Sequence, residues 1–392
     1  MKIALATTAD DPLDPRSWSG TPHAIHSAFQ RCGDTEVVCL GPLDPGLRLP
    51  EGAKKYYWKL KGQRYLWERE PRIAAIYREQ FAAGIAKHKP DVILSLGTIP
   101  AASLPDGTAR AVYVDSTFEL NLDYYPTMTN ICRPSQLLGE LVDREAFSRA
   151  DHVIATSEWA ASSIRTGYGV PGDRVSVVPI GAQHVSTLSG DEIRARSADR
   201  LRGPLKLLWV GVEWERKGGD IAVEIAGDLH SRGVDVELHI VGLTPREEIC
   251  RLPFVTAHGF IDARKDKGRL EELFLQSLAL LLPSRAENTS VAISDSASFG
   301  VPVFASDTGG MPTMIVDGVN GETLPGGTDP SVYATRLLGY AHAPEAYAAL
   351  VGRTRARFES ELSWDVAIAA IRSRLAALVA ARRQDGAIAR PA

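Results

Sequence analysis

Short apolar runs alternate with longer amphipathic stretches along most of the 392 residues. This alternation is typical of βαβ units, in which helices join parallel strands. The apolar runs are nearly continuous in Val, Ile and Leu, as expected for strands that helices cover on both faces. The pattern therefore predicts an α/β fold built from doubly wound parallel sheets.

Two series of such units can be followed along the chain. In the N-terminal half, strands are predicted over residues 2–7, 36–40, 91–96, 111–114, 152–156 and 175–179, with a loop over 8–22 and a helix over 23–31. In the C-terminal half, strands are predicted over 205–211, 236–242, 255–259, 278–282 and 301–305, and helices over 218–230, 270–276 and 290–299. Helical patterns follow from residue 330, and a last helix opens at Ser363-Trp364.

This organisation predicts two Rossmann-like domains. Residues 1–185 form the first and residues 205–362 the second, and the polar, aperiodic segment 186–204 is predicted as a linker. Residues 363–392 are predicted to form a helix that packs back toward the N-terminal domain and ends in a frayed tail. Because ligands of such sheets bind beyond the carboxyl ends of the strands, we expect the two domains to face each other across a cleft.

Composition narrows the class of protein. The formal net charge is −4, which argues against a dedicated nucleic-acid binder. The four cysteines lie far apart in the sequence, without metal-ligand spacing, as in proteins of a reducing compartment. The polar N-terminus and the short apolar runs predict a cytoplasmic protein.

A candidate anion site lies in residues 281–295. A buried strand leads into a loop that carries Glu287, and a helix is predicted to begin near Thr289 or Ser290. The N–H groups of a helix start, together with two hydroxyls, can bind an anion. Asp295 follows about a turn and a half later, where it can flank the same ligand as Glu287. The alternative is that Thr289 or Ser290 only caps the helix and Glu287 only favours its dipole.

A second candidate lies in residues 208–220. A strand ends near Gly211, and a loop then brings the adjacent cations Arg216 and Lys217 to the start of a helix. Cations at a helix N-terminus oppose the helix dipole, and a bound anion would remove this conflict. The alternative is a solvated surface pair. The spacing of a P-loop is absent from the segment, which disfavours an ATPase.

Taken together, these motifs resemble those of glycosyltransferase family 4, whose members are retaining enzymes of the GT-B architecture. The resemblance covers about residues 205–375 and is looser in the N-terminal half, through Gly20 and residues 90–93. The matching positions are Gly211, Lys217-Gly218, Pro283-Ser284, Glu287, Asp295 and residues 299–303, 309–312 and 317–321. Three positions depart from the family pattern, because Val212 stands where Arg is frequent, Ser290 where Gly is common and Asp295 where Glu is usual.

The resemblance implies a hexosyltransferase of polysaccharide biosynthesis that uses a nucleotide-sugar donor and retains the anomeric configuration. The implied acceptor is a glycan, a lipid-linked molecule or a small molecule, and no metal or other cofactor is implied. Arg216 and Lys217 would bind the donor diphosphate, and Glu287 would contact the transferred sugar.

The remaining donor contacts are also implied by the resemblance. The backbone near Ser290 and Val291 would contact the distal phosphate, Asp295 the ribose, and the backbone of Phe260 and Ile261 the nucleobase; Gly211 and Thr289 are implied as further donor-binding positions.

The N-terminal half is then expected to hold the acceptor. Gly20 follows the first strand and allows close backbone approach to a ligand, with Thr21 beside it. Asp115 follows a later strand, near the position where family members frequently have His, and is the candidate for orienting the acceptor or the sugar. The alternatives are an ordinary turn for Gly20 and a loop cap for Asp115.

Residues 54–72 mix aromatic rings with seven cations and two glutamates. Such a stretch is able to contact an anionic membrane at the inner face or a lipid-linked acceptor. The alternative is a solvated amphipathic element with buried rings.

Two rival functions stay open. The first is another enzyme on the same architecture, either a nucleotide-sugar epimerase or a glycoside phosphorylase. The second is a non-catalytic protein that binds sugar nucleotides.

Overall fold

The computed structural model describes residues 1–46, 49–262 and 265–388. They divide into two compact units: unit 1 is Met1–Pro179 with the described residues from Ala367 onward, and unit 2 is Ile180–Val366. Each unit is built on one six-stranded parallel sheet. The predicted fold class, two doubly wound α/β domains, is confirmed. Residues 389–392 of the predicted tail lie outside the described residues.

The sheet of unit 1 has the strand order β2-β1-β3-β4-β5-β6. Its strands are β1 (Lys2–Ala6), β2 (Glu36–Leu40), β3 (Val92–Leu96), β4 (Ala109–Val114), β5 (His152–Ala155) and β6 (Val175–Val177). Its helices are α1 (Thr21–Arg31), α2 (Leu49–Leu60), α3 (Pro71–His88), α4 (Thr98–Ser103), α5 (Phe118–Asn121), α6 (Arg133–Arg149) and α7 (Glu158–Thr166). The strand order reverses between β1 and β3, which makes their carboxyl ends the topological switch point.

Helices cover both faces of this sheet. On one face Val112 and Val114 pack in a cluster with Phe147 of α6. On the other face Ile93 packs in a cluster with Phe81 of α3. Burying an aromatic side chain of this size stabilises the fold by roughly 2–3 kcal/mol, and burial on both faces explains why the strands contain almost continuous apolar runs.

The first helix begins earlier than predicted. Thr21 and Pro22 belong to α1, whereas the sequence interpretation placed them in a loop and began the helix at residue 23. Gly20 precedes the helix at φ 78°, and Trp18 and Ser19 also have positive φ, at 44° and 51°. Proline is favoured in a first helical turn, so Pro22 is a signal that points to the observed start.

A final helix, α16 (Trp364–Ile388), contributes to unit 1 from Ala367 onward. Its apolar side chains Ile368, Ile371 and Leu375 are buried. Its ion pairs reach three aspartates spread over unit 1: Arg372 with Asp34, Arg382 with Asp151 at 3.3 Å and Arg383 with Asp91 at 3.1 Å. The helix is therefore part of the fold of unit 1.

The sheet of unit 2 has the strand order β12-β11-β10-β7-β8-β9. Its strands are β7 (Leu205–Val210), β8 (Val236–Val241), β9 (Val255–Gly259), β10 (Ala279–Leu282), β11 (Val303–Asp307) and β12 (Gly321–Pro325). Its helices are α8 (Gly190–Ala195), α9 (Gly219–Ser231), α10 (Glu247–Cys250), α11 (Lys267–Gln276), α12 (Val291–Ser298), α13 (Met311–Met314), α14 (Pro330–Ala341) and α15 (Pro344–Arg357). The switch point of this sheet lies between β7 and β10.

Strand β12 was not predicted. Its sequence, Gly-Glu-Thr-Leu-Pro, has glycine and proline at its ends and neither a continuous apolar run nor a strict alternation. It pairs on one side with β11 and stands first in the strand order of the sheet, an edge position where proline is tolerated.

Residues 186–204 are not a linker, and this prediction is wrong. Ser189 and Glu192 form a capping box at the start of α8, and Ile193 of that helix is in the core. Arg200, in the turn Arg196–Leu201, is buried and donates hydrogen bonds to the carbonyls of Phe299, Gly300 and Leu275 at 2.7, 3.0 and 3.0 Å. The Ser-x-x-Glu spacing was the sequence signal for this helix.

Candidate functional site

Polar side chains follow the two strands that flank the switch point of unit 2. β7 and β10 are neighbouring parallel strands, so their carboxyl ends lie at the same edge of the sheet. The loop after β7 carries Arg216 and Lys217, and the loop after β10 carries Glu287. The sequence interpretation treated these segments as two motifs, and the topology brings them together.

The three side chains meet in a buried cluster. Arg216 Nη1 donates hydrogen bonds to Glu287 Oε2 at 2.9 Å and to the carbonyl of Ala286 at 2.8 Å. Lys217 Nζ lies 3.2 Å from the same Glu287 oxygen. The side chains of Arg216, Lys217 and Glu287 are 8%, 13% and 6% exposed. Charges this deeply buried interact more strongly than surface pairs, and each depends on its partners.

A fourth side chain, Glu213, adds a second negative charge to this cluster. Arg216 Nε donates to Glu213 Oε2 at 2.7 Å, and Arg216 Nη2 bonds the same oxygen. Within the described part of unit 2, Glu213 and Glu287 thus supply the negative charge that the sequence interpretation assigned to a bound anion. Arg216 holds the loop after β7 against the loop after β10 and positions Glu287.

Two glycines allow these loops to pack closely. Gly218 has φ +64°, and a Cβ atom there would lie 2.0 Å from the carbonyl oxygen of Pro283. A Cβ atom at Gly211 would lie 2.6 Å from Lys217 Cδ. Any side chain at Gly218 would push apart the loops that carry Lys217 and Glu287, so glycine is required there.

The helix that follows Glu287 has a start that its own N-cap side chain leaves open. Ser290 is the N-cap of α12, and within residues 265–388 its hydroxyl makes no capping hydrogen bond. The capping alternative for Ser290 is therefore wrong. N–H groups at such a start point outward with the positive end of the helix dipole. Val291 begins the helix, and the phosphate contacts predicted at Thr289, Ser290 and Val291 stay predictions.

Asp295 lies on the same helix, but it bonds the segment around residues 183–184 rather than the cluster at Glu287. Its Oδ1 accepts hydrogen bonds from the backbone N–H groups of Gln183 at 2.6 Å and His184 at 2.9 Å. Burial raises the pKa of the Asp295 carboxyl above its usual value, although these bonds oppose the rise. Asp295 therefore anchors the segment that follows Ile180, and its predicted contact with a ribose stays a prediction.

The predicted nucleobase segment follows β9. Phe260 is 73% exposed and Ile261 is half-buried. The carbonyl of Gly259 accepts a hydrogen bond from the N–H of Gly242 at 2.8 Å, which holds the start of this segment against the loop after β8. An exposed aromatic ring beyond the carboxyl end of a strand is accessible to a ligand, and the assignment stays a prediction.

A cavity of about 280 Å³ lies at the switch point of unit 1. Residues after β1, β3 and β4 line it, among them Trp18, Thr98 and Asp115. Asp115 Oδ2 accepts a hydrogen bond from Trp18 Nε1 at 3.2 Å. Asp115 thus lies at a cavity, as a residue that orients a ligand would.

The residues of the loop after β1 that line this cavity are not the predicted ones, Gly20 and Thr21. Among the described residues around the cavity, Thr8, Asp10 and Trp18 are the lining positions from this loop. Gly20 and Thr21, predicted to face the acceptor, are buried at the start of α1. Gly20 is needed there for its left-handed backbone conformation, rather than for close approach to a ligand.

Sequence reasoning missed Arg69 and Asp143, which also line the cavity. Arg69 Nη1 lies 3.8 Å from Asp143 Oδ1, and the N–H of Phe118 donates to Asp143 Oδ2 at 2.6 Å. Burial raises the pKa of Asp143 and lowers that of Arg69, and each partner opposes the shift of the other. Asp143 follows Ser135 and Gly139 at intervals of four on the buried face of α6, and a carboxylate on such a face was the available signal.

The basic aromatic stretch 54–72 is only partly packed. Tyr56 and Tyr57 on α2 are mostly exposed, as is Leu60 at its end. Lys61 Nζ lies 4.6 Å from the centre of the Tyr57 ring, a cation–π contact. The alternative with buried rings is therefore wrong for these tyrosines.

The described residues contain neither a cluster of metal-ligating side chains nor a membrane-spanning helix. Across 1–46, 49–262 and 265–388, no three His, Cys, Asp or Glu side chains come together as a metal site. In the same ranges, no helix has both the length and the apolar character needed to cross a bilayer.

Two doubly wound parallel sheets, each with polar groups at its switch point, define the GT-B class of proteins. Two family models match this chain: "Glycosyltransferase Family 4" over residues 25–184 and "Glycosyl transferases group 1" over residues 204–341. The chain belongs to glycosyltransferase family 4.

Individual relatives agree with this assignment. D-inositol 3-phosphate glycosyltransferase 2 of Catenulispora acidiphila is 27% identical over 252 residues, which are 60% of this chain and 57% of that protein. The chain thus matches little more than half the length of this curated relative. Sucrose-phosphate synthase from Thermosynechococcus elongatus superposes with a TM-score of 0.70 at 18% identity, covering 97% of this chain and 99% of that one. HepE of Anabaena, solved with UDP, gives 0.65 at 14%, covering 96% and 99%; both likenesses show the fold.

Proposed function

We propose that this protein transfers a hexosyl group from a nucleotide sugar to a hydroxyl of an acceptor. The observation that carries the proposal is the buried cluster of Arg216, Lys217 and Glu287 in the loops that precede α9 and α12. In the transfer, a bond forms between the acceptor oxygen and the anomeric carbon, while the bond from that carbon to the diphosphate breaks. The hydroxyl proton leaves with the nucleoside diphosphate.

The chemistry of the leaving group supports this assignment. Breaking the anomeric bond places negative charge on a diphosphate, and fixed donors aimed at that charge lower the barrier. Lys217 offers an ammonium held beside Glu287, and α12 offers the N–H groups of its first turn. These groups supply electrostatic stabilisation without a metal, so metal-independent transfer is part of the proposal. Retention of configuration is proposed from family membership.

The requirement for an acceptor distinguishes a glycosyltransferase from the rival functions, an epimerase, a phosphorylase and a non-catalytic binding protein. The cavity beside Asp115 in unit 1 gives room for an acceptor, which an epimerase does not need. Incubation with donor alone should therefore yield no epimerised nucleotide sugar, and addition of inorganic phosphate should yield no sugar phosphate. Either product would assign the chain to a rival enzyme class. Donor binding without any turnover would indicate a non-catalytic binding protein.

Lys217→Ala tests the donor assignment. We expect UDP, GDP and their hexose conjugates to raise the melting temperature of the wild-type protein selectively, because a ligand stabilises the folded state that binds it. Lys217→Ala should abolish the largest shift and lower kcat by about 100-fold or more, as for loss of one preorganised donor. Differential scanning fluorimetry and release of nucleoside diphosphate measure the two effects.

Lys206→Ala is the matched control for this experiment. Lys206 lies near the start of β7, at the opposite edge of the same sheet, where its Nζ bonds the Gln276 side chain at 2.8 Å. This variant should keep the nucleotide-induced shift. A shift that survives in Lys217→Ala, or one lost equally in Lys206→Ala, would remove Lys217 from the phosphate site.

Peripheral contact with an anionic membrane is proposed for the stretch 54–72. The exposed rings of Tyr56 and Tyr57 and the neighbouring lysines on α2 support it, because aromatic and basic side chains favour such an interface. Co-sedimentation with phosphatidylglycerol vesicles, but not with phosphatidylcholine vesicles, would support the contact.

A further inference from the structure

We propose that Arg285 and Asp220 form a positioning pair for the donor site of unit 2, and that this pair acts on the reaction through Lys217. The inference rests on the proposed transferase function and adds two residues to it. Neither residue is among the predicted site residues. The pair is not assigned a contact with the donor, because its task is to fix the backbone that carries the Lys217 ammonium.

The first support is the geometry of the ion pair between Arg285 and Asp220. Arg285 Nη1 donates a hydrogen bond to Asp220 Oδ1 at 2.8 Å, and Arg285 Nη2 donates one to Asp220 Oδ2 at 2.6 Å. A fork of two such bonds fixes the orientation of the guanidinium as well as its position. This bonding raises the pKa of Arg285 and lowers the pKa of Asp220, so both side chains are charged at neutral pH.

The second support is that Arg285 holds the backbone on both sides of Lys217. Its Nη1 also donates to the carbonyl of Glu215 at 2.6 Å, and its backbone N–H donates to the carbonyl of Arg216 at 2.8 Å. These two carbonyls come just before Lys217 in the chain. Asp220 comes just after it, in the first turn of α9. One residue of the loop after β10 therefore fixes the segment 215–220 at both ends.

The third support comes from the other contacts of Lys217. Its N–H donates to the carbonyl of Glu213 at 3.0 Å, and its carbonyl accepts a hydrogen bond from Trp209 Nε1 at 3.1 Å. These bonds tie Lys217 to its own loop and to β7. Arg285 ties that loop to the loop after β10, which carries Glu287. The distance of 3.2 Å between Lys217 Nζ and Glu287 Oε2 thus depends on how the two loops are fixed to each other.

Each of the two loops gives an arginine to the other. Arg216, in the loop after β7, bonds the carbonyl of Ala286 and the carboxylate of Glu287. Arg285, in the loop after β10, bonds a carbonyl and a carboxylate in return. The Arg216 side chain is 8% exposed, whereas that of Arg285 is 49% exposed. Since ion pairs this exposed contribute little to stability, loss of Arg285 should loosen the loops without unfolding the domain.

The placement of Lys217 matters because its ammonium acts on charge that develops as the diphosphate leaves. A donor that is already fixed stabilises this charge without reorganising during the reaction. A displacement of about 1 Å, caused by a change away from the reacting atoms, can lower a rate by about 100-fold. Loss of the positioning pair should therefore lower kcat more than it changes the KM for the donor.

Arg285→Met tests the positioning pair in the intact chain. Release of nucleoside diphosphate is measured from UDP-glucose and GDP-mannose, with glucose, myo-inositol or water as the acceptor, and the fastest combination is used. We expect kcat to fall about tenfold and the donor KM to change by less than about threefold. The melting temperature should fall by no more than a few degrees. An unchanged kcat would overturn the inference.

Asp220→Asn tests the other member of the pair. It should lower kcat by a similar factor, and the double variant with Arg285→Met should be no slower than the slower single variant, because both residues make one interaction. Losses that multiply in the double variant would show that the two residues act separately, which contradicts a positioning pair.

Arg232→Met is the matched control at the other end of α9. Arg232 Nη2 lies 2.7 Å from Asp228 Oδ2 and donates to the carbonyl of Ser331 at 3.2 Å, so this arginine also bonds a carboxylate and a carbonyl. Its loss should leave kcat within about twofold of wild type, since Arg232 follows the last turn of the helix whose start lies at Lys217. A fall equal to that in Arg285→Met would contradict a specific role for Arg285.

The route through Lys217 is tested by combining Arg285→Met with Lys217→Ala. If the pair acts by placing the ammonium, removing that ammonium also removes the effect of Arg285. The double variant should therefore have a kcat within about twofold of Lys217→Ala alone, measured at a higher enzyme concentration. A further tenfold loss in this background would overturn the inference, because a general structural defect lowers the rate in either background.

The possible failures can be told apart. If the wild-type protein turns over a donor and Arg285→Met keeps its kcat, the positioning role is wrong and the proposed function stands. If the wild-type protein turns over neither donor, the proposed function fails, and the positioning role fails with it.

Discussion

The two switch points hold the same kinds of side chain, but they pair them differently. In unit 2, Arg216 reaches Glu287, Glu213 and the Ala286 carbonyl over distances of about 3 Å. In unit 1, Arg69 and Asp143 stand 3.8 Å apart at the wall of a cavity. The first site is held together by hydrogen-bonded ion pairs, and the second holds a buried pair of opposite charges that is too far apart for a direct hydrogen bond.

Under the proposed function, this difference fits a donor site in unit 2 and an acceptor site in unit 1. A donor site must present fixed charge before the diphosphate leaves, so a rigid, internally paired cluster is suited to it. In the proposed function the cavity of unit 1 has room for the acceptor, and the Arg69–Asp143 pair supports the wall of that cavity. Variants that remove one partner at each site should therefore differ in cost and in pH dependence.

The largest stability effect is expected for Arg216→Met. The variant breaks the hydrogen bonds of Arg216 to Glu287, Glu213 and the Ala286 carbonyl, at a cost of about 4 kcal/mol, although Lys217 still pairs with Glu287. Urea denaturation followed by tryptophan fluorescence measures the change. Arg285→Met is the control, because Arg285 pairs with Asp220 at 2.6 Å in the same region but is 49% exposed. Its loss should cost less than about 1 kcal/mol, and equal costs in the two variants would refute the distinction.

A smaller, pH-dependent effect is expected for Arg69→Met. At neutral pH the variant leaves Asp143 without its cation, at a cost of about 3 kcal/mol. Burial already raises the pKa of Asp143, and loss of Arg69 raises it further. A raised folded-state pKa means that stability is recovered as pH falls through it. The deficit relative to wild type should thus shrink in urea titrations as the pH falls from 7 toward the unfolded value of about 4. A deficit that stays constant over this range would show that Asp143 does not take up the proton.

The smallest effect is expected for Asp295→Asn. Because burial raises the pKa of Asp295, its contribution is most favourable below the unfolded value of about 4 and is lost as pH rises through the folded value. At pH 7 the variant should therefore be within about 1 kcal/mol of wild type, since the amide oxygen can still accept the bonds from Gln183 and His184. Toward pH 4 the wild type should gain stability relative to the variant.

Asp329→Asn gives the opposite sign and is the reference for that measurement. The Asp329 side chain caps α14 by accepting a hydrogen bond from the N–H of Ser331 at 2.9 Å, and hydrogen bonding to the side chain and the N–H of Ser331 lowers the pKa of Asp329. Its contribution is present above the unfolded pKa and is lost as pH falls through the folded value. Parallel pH profiles for the two variants would contradict the assignment at Asp295. Loss of the nucleotide-induced shift in Asp295→Asn would in addition support the predicted ribose contact.

The sequence predicted the fold well because the strands of both sheets are buried on two faces, and continuous apolar runs such as 92–96 and 279–282 record that burial directly. It also pointed to Lys217 and Glu287 as candidate site residues, since both lie in loops that follow strands. It did not foresee that Glu213 and Glu287 would neutralise Arg216, because that depends on a contact between loops about 70 residues apart. Arg69 and Asp143 were not predicted, because neither lies in a loop that follows a strand. Their pairing also depends on a contact between residues that are distant in the sequence.

The helix α16 has a consequence for how the protein is made. Unit 1 combines residues 1–179 with a helix whose residues are synthesised only after all of unit 2. Until that helix emerges from the ribosome, the side chains that pair with it, Asp34, Asp91 and Asp151, have no partner from it. We therefore expect unit 1 to fold completely only after synthesis of the whole chain. A stop codon shortly before residue 367 would then destabilise unit 1, although the stop codon lies in the sequence of unit 2.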